Sequence, residues 1–154
     1  VLNGNLYRNI EWPVVVMLAA MIPVGQALET SGISLNIANF ISSTTDGMAL
    51  PWLILMILVI TMFVSDIVNN AATAVIMAPI AANLALQVGQ PVEPFLMAVA
   101  VGASCAFLSP IGHQCNTLVM APGNYKFGDY WRLGLPLECV IVAIAIPMIL
   151  FVWT

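Results

Sequence analysis

The stretch Ser65-Asp66-Ile67-Val68-Asn69-Asn70-Ala71-Ala72-Thr73-Ala74 is a polar cluster set between two apolar runs. Before it, residues 51–64 are almost purely apolar. After it, residues 74–88 are apolar apart from Pro79, Asn83 and Gln87. A helix needs about 20 apolar residues to cross ~30 Å of hydrocarbon, and a shorter run fits a re-entrant arm better. The spacing therefore predicts a re-entrant helical hairpin over 51–88, with the polar cluster at its tip. In lipid an unpaired backbone group costs several kcal/mol, so irregular backbone survives only where protein or a water-filled cavity surrounds it. The tip must face away from lipid.

Composition supports a membrane setting. The 154 residues are 62% hydrophobic and 6% charged, against about 25% charged in a soluble domain. So few charges cannot coat a water-facing surface. The net charge of −4 comes from scarce bases, Lys+Arg 3, and leaves no basic patch for nucleic acid. Cys105, Cys115 and Cys139 form no CxxC pair and read as small packing residues. The chain starts at Val1 and ends at Thr154 directly after an apolar run, which reads as a fragment of a longer protein.

Working outward from the hairpin, residues 12–30 form a first span, kinked by Pro23 and Gly25. Residues 33–44 mix Asn36, Asn39, Ser42 and Ser43 with apolar positions and read as an interfacial helix. Asp46 and Gly47 turn the chain into the hairpin. Residues 95–122 make a broken span. Its first part carries Ala98, Gly102 and Ala106 at helical spacing, a stripe that lets a neighbour approach closely. It breaks at Ser109-Pro110-Ile111-Gly112-His113-Gln114-Cys115-Asn116 and resumes near Thr117. Residues 133–153 form the last span, with Glu138 near its start. Counting crossings puts Arg8, Lys126 and Arg132 on one face and Asp46 and Glu93 on the other. The positive-inside rule makes the basic face cytoplasmic.

Each polar break creates a half-helix that begins inside the membrane, near Ala72 and near Thr117. Such N-termini carry free N–H groups and roughly half a positive charge, which suits an anion. The arms that end near Val68 and Ser109 leave free carbonyls, which suit Na⁺. No Lys or Arg lies in either break, so a bound anion needs a co-bound cation. Asp66, the one acid at the breaks, either holds a cation or proton or anchors the tip. Asn69 and Asn70 serve a site or hydrogen-bond between helices. His113 is a binding residue or a structural one.

The Ser65–Ala74 stretch, followed by Ser109-Pro110-Ile111-Gly112-His113-Gln114-Cys115-Asn116-Thr117 and by Gly128 to Pro136 leading into the last span, resembles the second half of the divalent-anion:sodium symporter family, the citrate- and sulfate-type permeases of the ion-transporter superfamily. The resemblance implies an all-α integral membrane fold: the second inverted repeat of a secondary transporter, with a re-entrant hairpin and a discontinuous transmembrane helix. It implies a sodium site lined by Ser65, Asn69, Asn70 and Gly112 with Asn116 nearby, and a substrate surface of Asn70, Ala71, His113 and Gln114. The family's Ser-Asn-Thr tip is Asn69-Asn70-Ala71 here, so the tip lacks one hydroxyl. Thr73, His113 and Gln114 are the groups able to compensate for it.

These readings together predict Na⁺-coupled symport of a small inorganic or carboxylate anion. The alternative is a cation/proton antiporter or metalloid-anion permease of the same superfamily. An intramembrane enzyme built on Asp66, His113 or Cys115 is disfavoured, since no HExxH or GxSxG motif occurs. The expected partners are the small anion, lipid, the missing N-terminal half and, by the resemblance, a second copy in a homodimer. No cofactor is expected, and no metal beyond Na⁺ as coupling ion. The expected location is a bacterial inner membrane, crossed several times.

Overall fold

The computed structural model describes residues 12–45, 47–120 and 122–153, with no strand among them. Arg8 and Asp46, used above for sidedness, lie outside the described residues. Seven α-helices follow in order: α1 Trp12–Thr30, α2 Ile33–Thr44, α3 Leu50–Ile67, α4 Asn70–Gln87, α5 Val92–Ala103, α6 Gln114–Met120 and α7 Tyr130–Trp153. A short 3₁₀ turn over Phe127–Asp129 leads into α7.

The first two helices have the bounds expected from the sequence. Gly32 separates them at φ 72°, a left-handed conformation that glycine adopts without a Cβ penalty. The helix α1 runs on through Pro23, and Gly25 lies where a Cβ would come within 2.9 Å of Val75 Cγ1 on α4.

The hairpin departs from expectation in length. Its arms, α3 and α4, have 18 residues each, not the fourteen or fifteen read from hydropathy. The helix α3 continues through Ser65 and Asp66 because both polar side chains are buried, at 0% and 6% exposure, and find partners inside the protein. At this length both arms, like the segment Phe127–Trp153, are long and apolar enough to cross a membrane by length and composition.

The broken span also differs. Its first helix ends at Ala103, well before the expected break at Ser109, and the second begins at Gln114 rather than Thr117. Within the break the Ala106, Ser109 and Pro110 carbonyls accept from the side chains of Asn116 and Thr117, in place of helical pairing. The last helix starts three residues before the expected Leu133, at Tyr130, and runs through Pro136 and Pro147.

The innermost helix is α5, which packs on α3, α4 and α7. Phe95, Ala98, Val99 and Gly102 are buried on it. Lipid tails are as apolar as leucine, so helices associate in a bilayer through close packing and interhelical hydrogen bonds. Gly102 provides such packing: a Cβ there would stand 2.8 Å from Thr61 Cβ and 2.9 Å from the Leu58 carbonyl oxygen. Of the expected small-residue stripe, Gly102 meets α3, Ala98 is buried on α5 and Ala106 lies in the break. Leu133, Val140, Ile144 and Phe151 on α7 are exposed. This chain is an all-helical membrane protein segment with an apolar outer surface.

Candidate ion site at the hairpin tip and helix break

The hairpin turns on Val68 and Asn69 alone. Asn69 is the N-cap of α4, its side-chain oxygen accepting from the Ala72 N–H at 2.8 Å. This is the usual reason for an asparagine at a helix start: it satisfies one of the four orphan donors. The amide oxygen assigned to Na⁺ by the resemblance therefore already accepts one hydrogen bond.

Contact between the hairpin and the break runs through the last turn of α3. Ser65 donates its hydroxyl to the Ala103 carbonyl at 2.8 Å, and its oxygen lies 3.1 Å from Asn70 Oδ1. A hydroxyl has one proton, so the shorter contact to Ala103 uses it. Asp66 Oδ1 accepts from the Leu108 N–H at 3.0 Å, and the Asp66 carbonyl accepts from the Ser109 hydroxyl at 2.6 Å. Gly112 completes the join: a Cβ there would stand 2.6 Å from Ala106 Cβ and 2.7 Å from the Ser65 carbonyl oxygen. Only glycine lets the two breaks approach so closely.

The break is braced from its own far end. Asn116 donates both amide hydrogens, to the Ala106 carbonyl at 2.9 Å and the Ser109 carbonyl at 3.2 Å, which leaves its oxygen as the end able to take a cation. Thr117 donates to the Pro110 carbonyl at 2.7 Å. Tyr130 on α7 donates to the Asn116 carbonyl at 2.7 Å.

Of the residues assigned to sodium, Ser65, Asn70, Gly112 and Asn116 converge on this join, while Asn69 caps α4 at the exposed tip. Of those assigned to substrate, Ala71 is half-buried and His113 is exposed, its Nδ1 accepting from the Cys115 N–H at 3.2 Å. The side chain of Gln114 lies outside the described residues. Thr73 is fully buried and its hydroxyl has no partner. It is buried, where His113 and Asn69 are exposed.

Asp66 is the site's electrostatic centre. Its second oxygen, Oδ2, is buried without a hydrogen bond, and a buried carboxylate oxygen with no donor favours a cation. The sequence reading passed over Glu138. Its Oε1 is likewise buried and unpartnered. An acid inside a span is itself a signal of function, and on that signal Glu138 could have been found. A cleft of about 580 Å³ opens between the break and α7, lined by Phe107, Cys115, Asn116, Tyr130, Arg132 and Leu137 among others. It shares Asn116 with the site and has mainly apolar walls.

Comparison with known proteins agrees with this architecture. The chain matches the citrate transporter family over residues 2–102 and 51–154. It is 38% identical over 146 residues to an uncharacterized transporter of Synechocystis sp., covering 95% of this chain and 24% of that one. It is 33% identical to sodium/sulfate cotransporter 2 of Chlamydomonas reinhardtii, covering 94% of this chain and 16% of that one. It is 30% identical to the sodium-dependent high-affinity dicarboxylate transporter 3 of Caenorhabditis elegans, covering 91% and 25%. The chain thus spans a quarter or less of the length of these relatives, all of them transporters by name and none an enzyme. With the broken helix and the hairpin in place, the chain belongs to the citrate transporter family and fits the divalent-anion:sodium symporters.

Proposed function

We propose that this chain supplies one side of the ion and substrate site of a Na⁺-coupled importer of a small inorganic or carboxylate anion. The observation that carries the reading is the join of Asp66 and Ser65 with Gly112 and Ser109. Two helix interruptions meet there, the charge is negative, and one carboxylate oxygen is buried without a donor. Neither break contains a lysine or an arginine. Na⁺ at this join offsets both the charge of Asp66 and that of an incoming anion, which makes anion binding depend on the cation. Ser65, Asn70, Gly112 and Asn116 serve the cation, with Asn69 holding the tip. Asn70, Ala71, His113 and Gln114 face the anion, sharing it with chain outside this segment. The names of the sodium/sulfate and dicarboxylate relatives support sulfate and dicarboxylates as the first substrates to test. A homodimer in the inner membrane of a bacterium completes the proposal.

The same buried oxygen of Asp66 favours one second reading, a cation/proton antiporter of the same superfamily. Uptake into proteoliposomes containing the full-length protein separates the two. Symport predicts sulfate or dicarboxylate accumulation driven by an inward Na⁺ gradient and abolished when choline replaces Na⁺. Antiport predicts no anion accumulation, and a change of internal pH when the Na⁺ gradient is imposed.

A further inference from the structure

Among the described residues, α6 and α7 do not pack on each other along their length. Tyr130 ties them at one point, donating to the Asn116 carbonyl at 2.7 Å. The helix α7 meets the break instead at Gly134, where a Cβ would run into the Phe107 carbonyl. The space left beside these contacts is the cleft of about 580 Å³. It follows α7 from Asp129 to Leu137, about 12 Å at 1.5 Å per residue. Its character changes along the helix. Asp129 and Arg132 edge it at the helix start, beside Tyr125, and Lys126 is exposed on the same loop. Further in, its walls are Leu133, Leu137, Val119 and Phe107, the first three of them exposed. Among the described residues Arg132 has no hydrogen-bond or ion-pair partner. The Asp129 carboxylate accepts from the Lys126 N–H at 2.8 Å, which closes the turn. Two bases against one acid over Tyr125–Arg132 leave the mouth net positive. Tyr125 and Trp131 are both exposed there, and such amphipathic rings gather where hydrocarbon meets headgroups. The mouth thus lies at headgroup level, with the apolar walls in the hydrocarbon beneath it.

We propose that this cleft binds one anionic phospholipid, its phosphate held by Arg132 and Lys126 and an acyl chain lying along Val119, Leu133 and Leu137. A basic pocket between membrane helices suits an anionic headgroup. A guanidinium pairs with phosphate through two parallel hydrogen bonds, and Arg132 has its donors to spare. A zwitterionic lipid offers the same phosphate but adds a cation that Arg132 and Lys126 repel. The walls beyond the mouth are apolar, so they suit hydrocarbon and offer a small transported anion no partner. The site borders the proposed ion site through Asn116, yet it does not depend on which ion or cargo the protein carries.

The test uses full-length protein purified in detergent, with phosphatidylglycerol and phosphatidylcholine of identical acyl chains as probes. Native mass spectrometry reads the affinity for each. Wild type should bind phosphatidylglycerol saturably and about fivefold or more tightly than phosphatidylcholine, and Arg132→Gln should bring the two within about twofold of each other. A phosphatidylglycerol with a photoreactive group on its acyl chain locates the site. It should crosslink to peptides that contain Val119 or Leu133 to Leu137, and unlabelled phosphatidylglycerol should compete. Leu137→Trp fills the cleft and should abolish this crosslink while the protein stays folded. If that variant does not fold, Val119→Trp takes its place. Equal affinity for the two lipids in wild type would overturn the proposal, as would an Arg132→Gln variant that keeps the preference. So would a crosslink that survives the filled cleft. Crosslinks confined to other parts of the chain would overturn it too, the result expected if protein outside this segment covers the cleft.

Discussion

The Ser109 hydroxyl donates to the Asp66 carbonyl at 2.6 Å across 43 residues of sequence. The bond joins the end of one interrupted helix to the irregular segment of another. Each interruption leaves backbone groups that cannot be paired within its own helix, and the two interruptions pair them for each other.

Ser109→Ala removes that donor and also the acceptor that the Ile111 and Gly112 N–H groups use at 3.2 and 3.4 Å. A buried carbonyl then goes unpaired, at a cost of about 1–3 kcal/mol. Thermal unfolding of the full-length protein in detergent should show a lowered midpoint for Ser109→Ala and recovery of most of the loss in Ser109→Thr.

Asp66→Asn separates anchoring from cation binding. The asparagine oxygen still accepts from the Leu108 N–H, so folding should survive, with a midpoint within a few degrees of wild type. The charge is gone, and a contact between a charged group and its partner is worth about 1.5–3 kcal/mol. The half-maximal Na⁺ concentration should therefore rise about tenfold or more. An unchanged Na⁺ response would make Asp66 an anchor only.

Labelling of intact cells checks the sidedness. With the basic loop cytoplasmic, Lys126→Cys should be protected from an impermeant maleimide and Glu93→Cys should react. Both positions are exposed in the structure. The reverse pattern would invert the hairpin.

His113 is exposed beside the break, and its Nδ1 already accepts from Cys115, so its other ring nitrogen is the one to meet an anion. His113→Ala should raise the anion KM by about fivefold, the loss of one hydrogen bond to a charged group, with the Na⁺ response within about twofold. Equal KM values would make His113 a structural part of the turn.

The architecture was legible wherever sequence chemistry is local. Thr30, Ser31 and Gly32 stop α1, because left-handed geometry is a property of a few adjacent residues; the start of α4, read near Ala72, lies at Asn70 with Asn69 as its cap. The arm length of α3 was not legible. Ser65 and Asp66 look like helix-ending polar residues until their partners at Ala103 and Leu108 are known, and those lie about forty residues away. The true end of α5 was hidden for the same reason. Ala103, Ser104, Cys105 and Ala106 carry no hydropathy or proline signal, and the helix stops there because Ser65 takes the Ala103 carbonyl while Asn116 takes that of Ala106. In the site, the motif placed Ser65, Gly112 and Asn116 at the join. The burial of Thr73 and the buried, unpartnered oxygen of Glu138 depend on packing between distant helices, which local sequence does not carry.

The central claim is that the join between Ser65 and Gly112 holds Na⁺, and equilibrium binding of radioactive sodium to purified full-length protein tests it most directly. A methyl group at Gly112 would stand 2.7 Å from the Ser65 carbonyl oxygen and 2.6 Å from Ala106 Cβ, forcing the two breaks apart. Wild type should bind sodium saturably, displaced by unlabelled Na⁺ and not by choline, and Gly112→Ala should bind at least tenfold more weakly while still folded in detergent. Saturable binding of equal affinity in the two proteins, or none in wild type, would contradict the account.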